Sequence, residues 1–270
     1  MKAVRAGSGL GDSIYLASIA RHLVEKGEGV EVCSDWPDVF RYLDVKVSPF
    51  RRGEVDIIAH YTQGKQRNNT DQFQDMCIRA GLSRDIELRL DWRPVGTRPD
   101  KLQPFVLVHL PRRPMDRSDG FGDELLPRQG AYQAAIDAVR EEFTTVMVGR
   151  GDAVYPVSVD IDLSNNTTIS DVIDLAYASS GMLGYVSFFV PLAESLAKPA
   201  LFVWARRGLE SQRDYIRTIT PKKILRGSRH VMDDGETALA ARQFCIEIER
   251  TRKDQGQDCC DSRKRAGRPR

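Results

Sequence analysis

The chain begins with a short strand that runs into glycines, an acid and a helix: Lys2-Ala-Val-Arg5-Ala-Gly7-Ser8-Gly9-Leu10-Gly11-Asp12, then the amphipathic stretch Ser13–Lys26. No other segment restricts the fold as much. A strand, a Gly-rich turn and a helix in immediate succession form the opening unit of an α/β sheet, whose ligands lie beyond the carboxyl ends of the strands. Glycines at such a turn let the backbone approach a ligand closely, and the first N–H groups of the helix attract anions. An acid in that place is a poor choice for phosphate binding and reads better as a base aimed at a hydroxyl. The simpler alternative is that Asp12 caps the helix, where Asp is favoured.

The alternation continues along the chain. Strands are predicted near Lys2–Arg5, Val30–Cys33, Asp56–His60 and Ile86–Leu90, with helices over Ser13–Lys26 and Asp71–Ala80. Residues 93–104 hold Pro94, Pro99 and Pro104, a spacing that reads as a linker. The apolar run Phe105–Leu110 then has the length of a buried parallel strand. Helix Tyr132–Phe143, strand Thr144–Val148, helix Ser170–Ala178, strand Gly181–Gly184, helix Pro191–Leu196, strand Ala200–Trp204 and helix Thr237–Lys253 follow. Such a pattern predicts an α/β protein of two Rossmann-like domains, 1–92 and 105–253, with parallel sheets facing across a cleft. The polar tail 254–270 lacks periodicity and is expected to be disordered.

Composition removes several classes. With 270 residues, 41% hydrophobic and 29% charged, the chain has the make-up of a globular protein. No apolar run approaches the roughly 20 residues of a membrane span, and the N-terminus lacks a signal-peptide layout, so a cytoplasmic protein is expected. Cys33, Cys77 and Cys245 lie in apolar or helical surroundings that suit buried free thiols. Cys259-Cys260 has no second Cys or His pair at metal spacing. No metal and no cofactor are expected.

Arg5-x-Gly7-x-x-x-Gly11-Asp12 before an apolar helix resembles the opening of family 9 glycosyltransferases, the heptosyltransferase type with the GT-B fold. In the second half, Ser170–Ser180, then Gly181–Ser187, then Leu192-Ala-Glu194-Ser-Leu-Ala-Lys198-Pro199-Ala-Leu-Phe-Val is similar to that family's C-terminal donor-binding signature. The likeness extends over much of residues 1–205. It implies a metal-independent transferase that moves a sugar from a nucleotide-sugar donor to a hydroxyl on a saccharide, a lipid-linked acceptor or a modified DNA base. Residues 1–92 would form the acceptor side and 105–253 the donor side. Asp12 matches the family's catalytic base. Ser187 matches the small hydroxyl residue that helps hold the donor diphosphate, with the N–H groups of the next helix beside it. Val186, Phe188 and Pro191 stand where the family has the acid, glycine and histidine of an Asp-Ser-Gly-x-x-His turn. That altered turn favours a rival reading, a non-catalytic nucleotide- or DNA-binding protein on the same scaffold.

Other positions complete the candidate site. Gly9 and Gly11 would let the donor approach, and Phe188 lies on the altered turn. Arg112 and Arg113 follow the strand Phe105–Leu110, at an edge where guanidinium forks suit phosphate. Their alternative is a solvated loop with Asp116, Arg117 and Asp119. Arg206, Arg207 and Gly208 follow the strand Ala200–Trp204, and the long loop 111–130 has the character of a lid. Many GT-B enzymes hold the ribose with a glutamate on the helix that carries Glu194, although an exposed helical glutamate is the commoner case. His60 ends a strand on the acceptor side, and His109 belongs in or beside the second sheet. The tail Arg263-Lys264-Arg265-Ala266-Gly267-Arg268-Pro269-Arg270 resembles an AT-hook interrupted by Ala266. A hook would take it into the minor groove of DNA, whereas a generic basic tail would hold any polyanion.

Overall fold

The computed structural model describes residues 1–53, 55–59, 72–94, 104–112, 126–185, 187–203, 230–231 and 234–254. They form two parallel sheets. In the first, β1 (Lys2–Arg5), β2 (Val30–Cys33), β3 (Lys46–Ser48) and β4 (Ile57–Ile58) take the order β3-β2-β1-β4. The second contains β5 (Phe105–His109), β6 (Thr144–Val148), β7 (Ile161–Asp162), β8 (Gly181–Gly184), β9 (Ala200–Val203) and β10 (His230–Val231), in the order β10-β9-β8-β5-β6-β7. In both sheets the chain starts centrally, winds one way and then returns to the other side of its first strand. Those reversals lie between β1 and β4 and between β5 and β8. A ligand crevice opens at such a point, outside the carboxyl ends.

Six helices cover the sheets among the described residues: α1 (Leu10–Glu25), α2 (Gln72–Arg79), α3 (Gln129–Arg140), α4 (Ile169–Ala178), α5 (Phe189–Ser195) and α6 (Asp234–Asp254). Strand β5 is buried along its whole length, which is why it reads as a continuous apolar run. Its side chains alternate between two cores. Val106 and Val108 pack with residues of α3 and α6. Phe105 and Leu107 join a larger core that also takes in α1, α4, α5 and Val4 and Val32 of the first sheet. The segments are tied polar-side as well, by Trp92 Nε1–H donating to Asp174 at 2.6 Å and Arg41 to Ser170 Oγ at 3.0 Å. None of the described helices is long and apolar enough to cross a membrane.

Several expectations shift. Helix α1 starts at Leu10 rather than Ser13, because Gly9 takes the N-cap with extended backbone and Gly11 and Asp12 fall inside the first turn. Helices α3 and α5 also start earlier than predicted, at Gln129 and Phe189. Helix α4 starts within one residue of its predicted position, fixed by a reciprocal capping box between Thr168 and Asp171. The strand expected over Ile86–Leu90 is not one. Leu88 and Leu90 are buried and alternate with exposed Glu87 and Arg89, so the period is real, but no strand among the described residues pairs with them. The Ser18 hydroxyl instead donates to Glu87 O and accepts from Arg89 N–H, and Leu90 N–H donates to Ser195 O. Of the linker expected at 93–104, residues 95–103 lie outside the described part.

Candidate functional site

The Gly-rich turn after β1 is held from the side by the segment that follows β2. Trp36 Nε1–H donates to Ser8 O at 2.9 Å, its backbone N–H donates to Ser34 Oγ at 3.1 Å, and the Ser34 hydroxyl meets the Ser13 hydroxyl at 2.8 Å. Asp12 is the third residue of α1, two places beyond the first helical residue, and Gly9 holds the N-cap position. Asp12 is therefore not the N-cap residue itself, and an acid in the first turn complements the helix dipole. The carboxylate folds back over the turn. A Cβ built on Gly7 would stand 2.1 Å from Asp12 Oδ2, and one on Gly9 would stand 3.2 Å away. Gly7 is not among the glycines with positive φ, so what the site needs from it is space.

Gly11 faces across the molecule. Its Cβ would lie 3.4 Å from Pro191 Cγ and 3.5 Å from Phe188 Cα. The start of α1 thus meets the turn into α5, and the two sequence motifs, far apart in the chain, come together. Gly11 serves as a close-packing position between these helices.

Ser187 occupies the turn after β8. Its hydroxyl accepts from Phe189 N–H at 3.2 Å and lies 3.1 Å from Tyr185 O and 3.0 Å from His109 Nδ1. Val190 N–H donates to Ser187 O and Leu192 N–H to Phe188 O, while Pro191 has no N–H. The first turn of α5 therefore uses its own N–H groups, and the expected donation to a diphosphate from this helix start is not available. At α1 the ladder begins only with Ser13 N–H to Gly9 O, which leaves the Leu10 and Gly11 N–H groups outside it at the carboxyl edge.

His109, the last residue of β5, is the functional candidate that sequence patterning undervalued. Its ring stacks between Tyr185 (4.7 Å between centroids, 10° between planes) and Phe189 (4.5 Å, 15°), with Phe188 edge-on at 5.1 Å. It is 5% exposed. Burial, with the nearby Arg112 charge adding to it, pushes its pKa down to about 3, so the imidazole is neutral at ordinary pH. The available signal was a histidine ending an apolar strand at a sheet's carboxyl edge.

Arg112 is half-buried at that edge. Its N–H donates to the Tyr185 hydroxyl, which is also 2.9 Å from Arg112 O, and its guanidinium donates to Arg150 O beside Gly151. Asn165, in left-handed backbone at φ 62°, pins that neighbouring loop by accepting from Gly151 N–H at 2.6 Å. Arg112 is therefore a built-in part of the edge. Glu194 is only 2% exposed, which overturns the exposed-helix alternative. Arg113, Val186, His60, Arg206, Arg207, Gly208, residues 113–125 of the long loop and the whole tail, including Arg263, Lys264, Arg265, Gly267, Arg268, Pro269 and Arg270, lie outside the described residues. Among the described residues no three His, Cys, Asp or Glu side chains are grouped to hold a metal ion.

No family model matches the sequence, and no curated protein matches it. Solved structures do. The dodecameric iron-containing glycosyltransferase TibC of enterotoxigenic E. coli matches with TM-score 0.54 at 13% identity, over 74% of this chain and 57% of that one. The chain thus spans little more than half the length of that enzyme. A second TibC structure, in complex with ADP-D-beta-D-heptose, matches with TM-score 0.57 at 12% identity, over 92% of this chain and 76% of that one. The E. coli ADP-heptose LPS heptosyltransferase II matches with TM-score 0.55 at 12% identity, over 95% of this chain and all of that one. The E. coli heptosyltransferase WaaC with ADP matches with TM-score 0.56 at 10% identity, over 92% of this chain and all of that one. Two parallel sheets, six described helices and these neighbours make the fold GT-B-like.

Proposed function

We propose that the chain transfers a sugar from a nucleotide-sugar donor to a hydroxyl acceptor by direct displacement. One observation carries this reading: the turn bearing Asp12 packs against the turn bearing Ser187 and Phe188, through Gly11. A base and a donor-side turn are thus neighbours on a scaffold whose structural neighbours are glycosyltransferases. Asp12 takes the acceptor proton while the hydroxyl oxygen attacks the anomeric carbon, the bond to the diphosphate oxygen breaks, and a nucleoside diphosphate departs. Arg112 and the first N–H groups of α1 supply positive potential for the developing negative charge, and Gly9 leaves that helix start open. Ser187 and Phe188 shape the crevice between β5 and β8, and buried Glu194 is the candidate for the ribose.

Replacing Asp12 with Asn tests the assignment. The variant should keep its melting temperature and its affinity for nucleoside diphosphates, and lose transfer by about a hundredfold or more, the scale of a missing general base. Turnover equal to that of the parent would overturn Asp12 as the base.

A further inference from the structure

Ser187 has one hydroxyl proton and three contacts. Its oxygen accepts from Phe189 N–H, lies 3.1 Å from Tyr185 O, which can only accept, and lies 3.0 Å from His109 Nδ1. All three contacts are bonds only if the hydroxyl donates to Tyr185 O and Nδ1–H donates to Ser187 Oγ. The alternative, a hydroxyl donating to Nδ1, leaves a carbonyl and a serine oxygen facing each other without a proton. Satisfying buried polar groups decides between them. A neutral imidazole protonated at Nδ1 carries its lone pair on Nε2. That nitrogen makes no hydrogen bond among the described residues, and it is not one of the fully buried atoms left without a partner.

Stacking on Tyr185 and Phe189, with Phe188 edge-on, fixes the plane of the ring. Its place is also informative. β5 and β8 are paired neighbours, and His109 and Ser187 lie at and just past their carboxyl ends, where the second sheet reverses.

We propose that Ser187 holds His109 in the tautomer that leaves Nε2 an acceptor at the donor crevice, where it takes a hydrogen bond from a hydroxyl of the nucleotide sugar. The inference rests on the transferase reading. It also assigns Ser187 a different task from gripping diphosphate, namely orienting this histidine. An acceptor nitrogen selects a sugar or ribose hydroxyl and repels a phosphate oxygen.

Two measurements test it. Nitrogen-15 NMR of the unliganded protein reports the tautomer directly, with the Nε2 resonance expected in the unprotonated range and the Nδ1 resonance in the protonated range. The reverse pattern overturns the proposal whatever the protein's activity. Calorimetry then compares the parent with His109→Asn, whose amide keeps a donor for Ser187 but puts nothing at Nε2. The probes are ADP, UDP and GDP, and their glucose or mannose conjugates. Loss of one neutral hydrogen bond weakens binding about three- to tenfold. A loss already present with the free diphosphates assigns the hydroxyl to ribose; one confined to the conjugates assigns it to the transferred sugar. Unchanged affinity for every probe that the parent binds overturns the ligand role alone. A parent that binds none of them overturns the transferase reading, and the ligand role with it.

Discussion

The Asp12 carboxylate occupies the space where a side chain on Gly7 would be: Oδ2 lies 2.1 Å from the missing Cβ. Gly7→Ala therefore forces the acid off its place over the turn. Since Asp12 is on a helix packed into the core and Gly7 on a surface turn, the fold should survive. The expected outcome is a loss of turnover of about tenfold or more, as misplacement of a catalytic group costs, with a change in melting temperature of a few degrees at most. Gly9→Ala, with its Cβ at 3.2 Å from the same atom, should cost less. Steady-state kinetics on the two variants gives the ranking, and equal turnover in both would show that the carboxylate position is not set by Gly7.

Gly11 sets a different distance. At 3.4 Å from Pro191 Cγ and 3.5 Å from Phe188 Cα, a methyl group fits and a branched side chain does not. Gly11→Ala should be close to neutral. Gly11→Val should push α1 from the Phe188 turn, destabilise by about 1–3 kcal/mol as overpacking does, and weaken nucleotide affinity. Chemical denaturation and calorimetry on both variants check the pair.

His109 makes stability sensitive to acid. Its folded pKa, about 3, lies below the ordinary imidazole value of 6.5, so the unfolded chain binds the proton more readily in that interval. The associated stability is complete above pH 6.5 and is lost as pH falls toward 3, to the order of 5 kcal/mol at about 1.4 kcal/mol per pKa unit. His109→Asn should flatten that limb of the stability–pH curve. On the alkaline side burial lowers Lys198 to about 8 from 10.5, which makes stability rise between pH 8 and 10.5 by the same linkage. Lys198→Met should remove that rise.

Trp36 ties the glycine turn to the sheet through one indole N–H on Ser8 O. Trp36→Phe keeps most of the ring and deletes that donor. About 1 kcal/mol of stability is the expected loss, with turnover reduced more than nucleotide affinity, because the turn carries Asp12 and the donor crevice is built by other elements. Equal losses in both would place Trp36 on the donor side instead.

Period and turn chemistry made most of this architecture legible. β1, β2, β6 and β8 follow their predicted bounds, and the Thr168–Asp171 box marks its helix start. The short strands β3, β7 and β10 have two or three residues each, too few to show alternation. Ile86–Leu90 shows the opposite failure, since a period of two reports which side chains are buried and says nothing of what the backbone bonds to. Within the site, the Gly7–Asp12 turn was legible because its chemistry is local. The partnership of His109 with Ser187 was not, because it joins the ends of two strands through a contact only the sheet order creates. Burial of Glu194 was hidden for a related reason: every residue of α5 is buried, and a helix covered on all sides has no polar stripe to betray its acid.

One core runs without a break from Val4 and Val32 in the first sheet to Met182 and Phe202 in the second. Apolar surface shared in this way couples the melting of both sheets, so neither keeps a separate thermal identity. A cavity-forming substitution on either side of this core is then expected to lower one common melting temperature.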